Sequence, residues 1–186
     1  MILWAATRQH RAATTTKAKA KTIFMTPLFK KLNYKEGQAI VCLNAPHSFQ
    51  TELNEMRSET AIIQAEKELT AVHFAIVFAT KQAEVDHYAS LLAPKLEGDA
   101  VLWFCYPKGS SKKYTCEFNR DNGWAVLGQL GLEGVRMVAI DEDWSALRFR
   151  KATHIKSMTR REDFTLSAEG KQKTEGKQKT KSKTES

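Results

Sequence analysis

The chain has 186 residues, 42% of them hydrophobic, and a formal net charge of +8. That charge sits in the tails: residues 1–25 hold five basic and no acidic side chains, residues 151–186 ten basic and five acidic, and residues 26–150 fourteen basic against sixteen acidic. A folded phosphate-tracking surface would carry its lysines and arginines inside the domain, so this partition argues against a dedicated nucleic-acid fold and leaves only weak, salt-sensitive contact through the tails.

In chain order, residues 1–24 are expected to be a disordered basic leader. Their acid-free composition also matches a transit peptide, or an upstream extension with Met25 as the true start. The folded domain is placed at 25–155. Thr26 and Pro27 supply the N-cap and first helical position of a short helix whose Leu28, Phe29 and Leu32 share a face. Gly37 introduces QAIVCLN, a buried strand ending at Asn44-Ala45-Pro46, and a helix capped by Ser48 should follow, with Phe49, Leu53 and Met56 on one face. TAIIQ, residues 60–64, reads as a short second strand.

Val72 to Pro107 is the organising unit. VHFAIVFA and DAVLWFCYP are near-continuous apolar runs at the spacing of a βαβ unit in a buried parallel sheet. Between them, a helix that Thr80 can cap turns Val85, Tyr88, Leu91 and Leu92 inward and stops near Pro94 and Gly98. His87 on that helix reads as solvent-facing or capping, since no second metal ligand lies at i±3 or i±4. After the strand Asp99–Pro107, the loop Lys108-Gly109-Ser110-Ser111-Lys112-Lys113 offers an anion cradle, but without the P-loop order it reads first as a solvated loop. A helix through Trp124, Leu127 and Leu130 closes at Gly131. Val135–Asp141 and Trp144–Arg150 then form an antiparallel hairpin, because the turn Asp141-Glu142-Asp143 is too short for a helical crossover and its three acids read as solvated. Residues 156–186 are expected to be a disordered Lys-rich tail, in which EGKQKT occurs at 169–174 and again at 175–180.

Cys42, Cys105 and Cys116 lack CxxC or Cys/His metal spacing and read as inert thiols of a reducing compartment. No apolar run reaches the roughly twenty residues of a membrane span, so a cytoplasmic protein with no membrane or metal partner is expected.

These elements predict a three-layer Rossmann-like α/β domain with a mostly parallel sheet of about six strands in the order 2-1-3-4-6-5, closed by the C-terminal antiparallel hairpin. A ligand would then sit at the carboxyl edge between strands one and three, among Asn44, His47, Thr80, Lys81 and Lys108, the lysines favouring a small anionic compound. The competing reading is that Asn44 and Thr80 only cap the elements after them. Where a dinucleotide or S-adenosylmethionine site would show G-x-G-x-x-G, the chain has Asn44-Ala45-Pro46-His47-Ser48, and Pro46 removes an amide donor.

The closing strand order, with LLAPKLEGDAVLWFCYPK in its helix-Pro-Gly-strand passage, resembles the class I methyltransferases. KKLNYKEGQAIVCLNAP, YPK and DEDWSALRF resemble more closely a small bacterial domain-of-unknown-function family with a reduced core of this kind. The first resemblance implies S-adenosylmethionine as cofactor; the second implies no activity. Two function classes follow: a binding or regulatory module, for a small anionic ligand or a protein, that has lost the Gly-rich cofactor loop; or a divergent S-adenosylmethionine-dependent methyltransferase. In the second, an acid at the end of the TAIIQ strand would bind the ribose, and Glu66 lies close to that position but out of register. Tail-driven nucleic-acid binding is a third, weaker option.

Overall fold

The computed structural model describes residues 25–156 and 165–174. The chain runs α1 (Pro27–Lys31), β1 (Ile40–Leu43), α2 (Gln50–Met56), β2 (Ile62–Ile63), β3 (Val72–Phe78), α3 (Gln82–Leu92), β4 (Leu96–Pro107), α4 (Ala125–Gln129), β5 (Leu132–Ala139) and β6 (Trp144–Lys151). All six strands form one sheet in the order β2-β1-β3-β4-β6-β5, parallel from β2 to β4, with β6 antiparallel to both of its neighbours. This is the three-layer Rossmann-like α/β arrangement, with the strand order read from the sequence.

The central strands are apolar on both faces because helices cover both. Along β3, Phe74, Ile76 and Phe78 meet α1 and α2 through Phe29, Leu53 and Met56. The alternate residues Ala75 and Val77 meet Val85, Ala89 and Leu92 of α3. Trp103 of β4 is fully buried and donates its indole N–H to the Leu32 carbonyl at 2.9 Å, which satisfies both a buried donor and a helix-end acceptor. Thr26 caps α1 as expected, its hydroxyl accepting from the Phe29 amide.

Some boundaries differ from the sequence reading. β4 starts at Leu96, before Asp99, because pairing with Val72 continues past the apolar run. β5 starts at Leu132, before Val135, leaving directly from Gly131 at φ +74°. Only Ile62 and Ile63 of TAIIQ pair with β1, at the edge of the sheet. Ser48 is not a cap: Pro46 precedes a 3₁₀ turn, His47–Phe49, that leads into α2.

The largest departure lies beyond β6. Glu133 of β5 is 0% exposed, and its carboxylate accepts from the Leu166 amide (3.1 Å) and from both the amide and hydroxyl of Ser167 (2.6 Å each). Ser167 in turn accepts from the Gly170 amide at 3.0 Å, capping a helical stretch at residues 168–174. Lys173 donates to the Ala152 and Ile155 carbonyls. Gly128 abuts the Leu166 carbonyl and Gly170 abuts the Glu133 carboxylate, so neither position has room for a Cβ. Residues 165–174 are therefore part of the domain, against the expectation that everything after 156 lies outside it. They dock through hydrogen bonds to one buried carboxylate, and apolar periodicity does not register that. The leader, residues 157–164 and the second EGKQKT copy lie outside the described residues. Among the described residues no helix is long and apolar enough to cross a membrane.

Candidate functional site

Between β1 and β3 the crossovers leave for opposite faces, β1 toward α2 and β3 toward α3, which makes their carboxyl edge the switch point where open α/β sheets bind ligands. Asn44 stands immediately after β1 at φ +54°, the left-handed region that glycine supplies most easily and that Asn tolerates better than other residues. Its amide Nδ2 donates across the edge to the Phe78 carbonyl at the end of β3 (2.9 Å) and to Glu84 Oε1 (3.3 Å). Glu84 Oε2 accepts from the amides of Thr80 (2.7 Å) and Lys81 (3.0 Å) and from the Thr80 hydroxyl (3.3 Å). Partial burial pushes the Glu84 carboxyl up, but the hydrogen bonds from Thr80, Lys81 and Asn44 outweigh it and hold the group below its ordinary value. The next amide, Gln82, donates to Glu117 at 2.8 Å.

The helix N-terminus that would face an anion is thus already filled by the protein's own carboxylates. Asn44, Thr80 and Lys81 are brought together, but through Glu84. Thr80 gives its amide and hydroxyl to that carboxylate, and Lys81 holds the N-cap position expected for Thr80. His47 is exposed on the turn after Pro46. Near β2, Gln64 accepts from Arg57 and Glu66 pairs with His87 at 3.0 Å. These residues do not fit a dinucleotide or S-adenosylmethionine held against an open β1 turn.

Lys108 belongs elsewhere. Its Nζ donates to the Asp141 carbonyl of the β5–β6 turn at 2.5 Å, and it lines a cleft of about 750 Å³ at the exit of β4. Tyr106, Ser145 and Met137, from β4, β6 and β5, and Tyr114, Phe118 and Arg120 from the loop after β4 contribute to its lining. The Tyr106 hydroxyl donates to Met137 Sδ at 3.3 Å, and its ring packs on Trp124 and Phe118 at centroid distances of 5.7 and 6.1 Å. Burial raises the pKa of Tyr106 and of Cys116, which also lines the cleft. The turn acids hold the loop in place. Asp143 accepts from Ser111 Oγ (2.8 Å) and pairs with Lys113 (3.2 Å), and these partners, Ser111 foremost, lower its pKa. Asp141 accepts from the Asp143 and Trp144 amides. The reading of the three acids as solvated holds for the exposed Asp141 and Glu142 but not for Asp143, because the loop after β4 folds back onto it. Among the described residues no group of three His, Cys, Asp or Glu side chains could hold a metal ion.

The sequence reading missed Glu84, although an acid three residues after the N-cap is the capping-box signal. It also missed the cleft, whose lining comes from three strands and a loop that only the sheet order brings together.

No protein-family model matches the chain, and no curated protein matches it. Solved structures similar to it include a SAM-dependent methyltransferase from Aquifex aeolicus, 10% identical, covering 67% of this chain and 87% of that one at a TM-score of 0.47. A protein assigned to the type 11 methyltransferases from Sulfolobus solfataricus is 10% identical, covering 73% and 96%, also at 0.47. The pyocyanin biosynthetic protein PhzM is 9% identical at a TM-score of 0.46, over 66% of this chain, which spans 53% of PhzM's length. The strand order, with antiparallel β6 between β4 and β5, is that of a methyltransferase-like Rossmann core.

Proposed function

We propose that this domain is a binding or regulatory module that takes a small ligand in the cleft beside β4. The observation that carries this reading is the Asn44 amide bridging the β1–β3 edge to Phe78 and Glu84, at the place a nucleotide cofactor would use. The neighbouring cleft stays open and combines aromatic walls (Tyr106, Tyr114, Phe118) with the Ser145 hydroxyl and with Lys108, whose ammonium is held by a carbonyl and not by a carboxylate. That chemistry suits a planar aromatic acid: the ring against the tyrosines, the acid toward Lys108. The test is calorimetric titration of the full chain with 4-hydroxybenzoate and indole-3-acetate, compared with Ser145→Trp, which fills the cleft. Binding that Ser145→Trp abolishes supports the proposal; binding that it leaves intact contradicts it.

A second reading, a divergent S-adenosylmethionine-dependent methyltransferase, is favoured by the placement of β6 and agrees with the methyltransferases among the similar structures. It requires Asn44 to swing off Phe78. Micromolar binding of S-adenosylhomocysteine by the same calorimetry would favour it over the first.

A further inference from the structure

The α1 side of the sheet carries three arginines at one end of β5 and β6. Arg136 and Arg148 are direct cross-strand partners, each two residues along from Val138 and Ala146, which belong to the core on that side. Facing like charges on paired strands oppose the pairing. Arg148 is half-buried, and its Nε is both inaccessible and without a hydrogen bond. Burial foremost, then Arg150 and Arg136, pull its pKa down against the pull of Asp99. Asp99 is itself committed, gripping Arg150 with two oxygens at 2.5 Å each. Arg136 has one long contact, 3.5 Å, to Oδ1 of the Asn33 side chain. Two guanidinium groups therefore share this place, and no carboxylate among the described residues is hydrogen-bonded to either. A half-buried guanidinium with no carboxylate partner beside an exposed second one is a poor structural element but a matched receptor for a doubly charged oxyanion, which can accept from both. A carboxylate would use only one of the two charges.

We propose that Arg136 and Arg148, with Arg150 at their edge, form a binding site for the phosphate group of a small ligand. The site is separate from the β4 cleft, since Met137, next in sequence to Arg136, points to the opposite face of the sheet. Its test is titration of the full-length ¹⁵N-labelled chain with inorganic phosphate, pyrophosphate and phenyl phosphate at constant ionic strength, reading the arginine Nε–H resonances. Saturable shifts at Arg136 and Arg148, weakened at least tenfold in Arg136→Met and Arg148→Met, are expected. Equal affinity for inorganic and phenyl phosphate supports the site with the free ion as ligand; tighter phenyl phosphate supports it with a phosphomonoester. Arg148→Met should melt no lower than the parent chain in phosphate-free buffer and should lose the stabilisation that phosphate gives the parent. A melting temperature several degrees lower makes Arg148 structural and overturns the proposal. Shifts absent, or unchanged in both variants, also overturn it, as does single-stranded DNA that binds through Arg148 and is not displaced by the small phosphates.

Discussion

Asn44 is the residue whose replacement says most about the β1–β3 edge, because it holds both a left-handed backbone and a bond across two strands. Asn44→Gly keeps the backbone and removes the 2.9 Å bond to Phe78, a net loss of about 1 kcal/mol, with roughly 0.5 kcal/mol more for the freer unfolded chain. The 3.3 Å bond to partly exposed Glu84 adds little after solvent screening. Asn44→Ala loses the same bond and also the local polar bonding that lets Asn tolerate φ +54°, which adds about 1 kcal/mol. The expected losses are about 1.5 kcal/mol for Gly and about 2 to 3 kcal/mol for Ala, or very roughly 3 °C in melting temperature per kcal/mol. Urea denaturation followed by tryptophan fluorescence separates them. An Asn44→Ala variant that costs under about 0.5 kcal/mol, or less than Asn44→Gly, would refute the view that this side chain spans the edge.

Other outcomes follow from the same geometry. Glu133→Ala strands the donors of Leu166 and Ser167 and should cost about 3 kcal/mol; truncation after residue 164 removes those donors and uncovers the carboxylate to water, so it should cost less than Glu133→Ala, and truncation after residue 174 should leave the melting curve unchanged. Asp99 and Glu84 have lowered carboxyl pKa values in the folded chain, so their contribution is complete above the unfolded value of about 4 and is lost as pH falls through the lower folded values. Melting temperature should therefore stay level from pH 7 to about pH 5 as far as these groups are concerned, and Asp99→Asn should flatten part of the acid decline. Burial pushes the Cys42 thiol up to about 12 and raises Cys105 and Cys116 as well, so iodoacetamide at pH 8 should label none of the three rapidly in the native chain and all three in urea, read by mass spectrometry.

How legible the molecule was depended on which force held each part. β3 and β4 were readable because a parallel strand buried on both faces must be apolar throughout, and the closing hairpin because a three-residue turn admits no crossover. Residues held by polar bonds at long range left no such mark. Glu133 looks like any strand-edge acid until Ser167 is seen to cover it, and Asp143 like a solvated turn residue until Ser111 returns to it. Asn44 and Thr80 were marked as candidate ligand groups, with capping as the rival reading. The structure bonds both to Glu84, which the sequence reading passed over. Lys108 was grouped with them because it follows a parallel strand, and β6 carries its partners to the other side of β4.

The central claim is that Asn44 bridges the β1–β3 edge and that the β4 cleft is the proposed ligand site. Amide chemical-shift mapping of the full chain tests it most directly, with 4-hydroxybenzoate and S-adenosylhomocysteine titrated separately. The account predicts saturable shifts for 4-hydroxybenzoate at Tyr106, Tyr114, Arg120 and Ser145 and none for S-adenosylhomocysteine at Asn44, Ala45, Thr80 or Lys81. Saturable S-adenosylhomocysteine shifts at those four residues would contradict it.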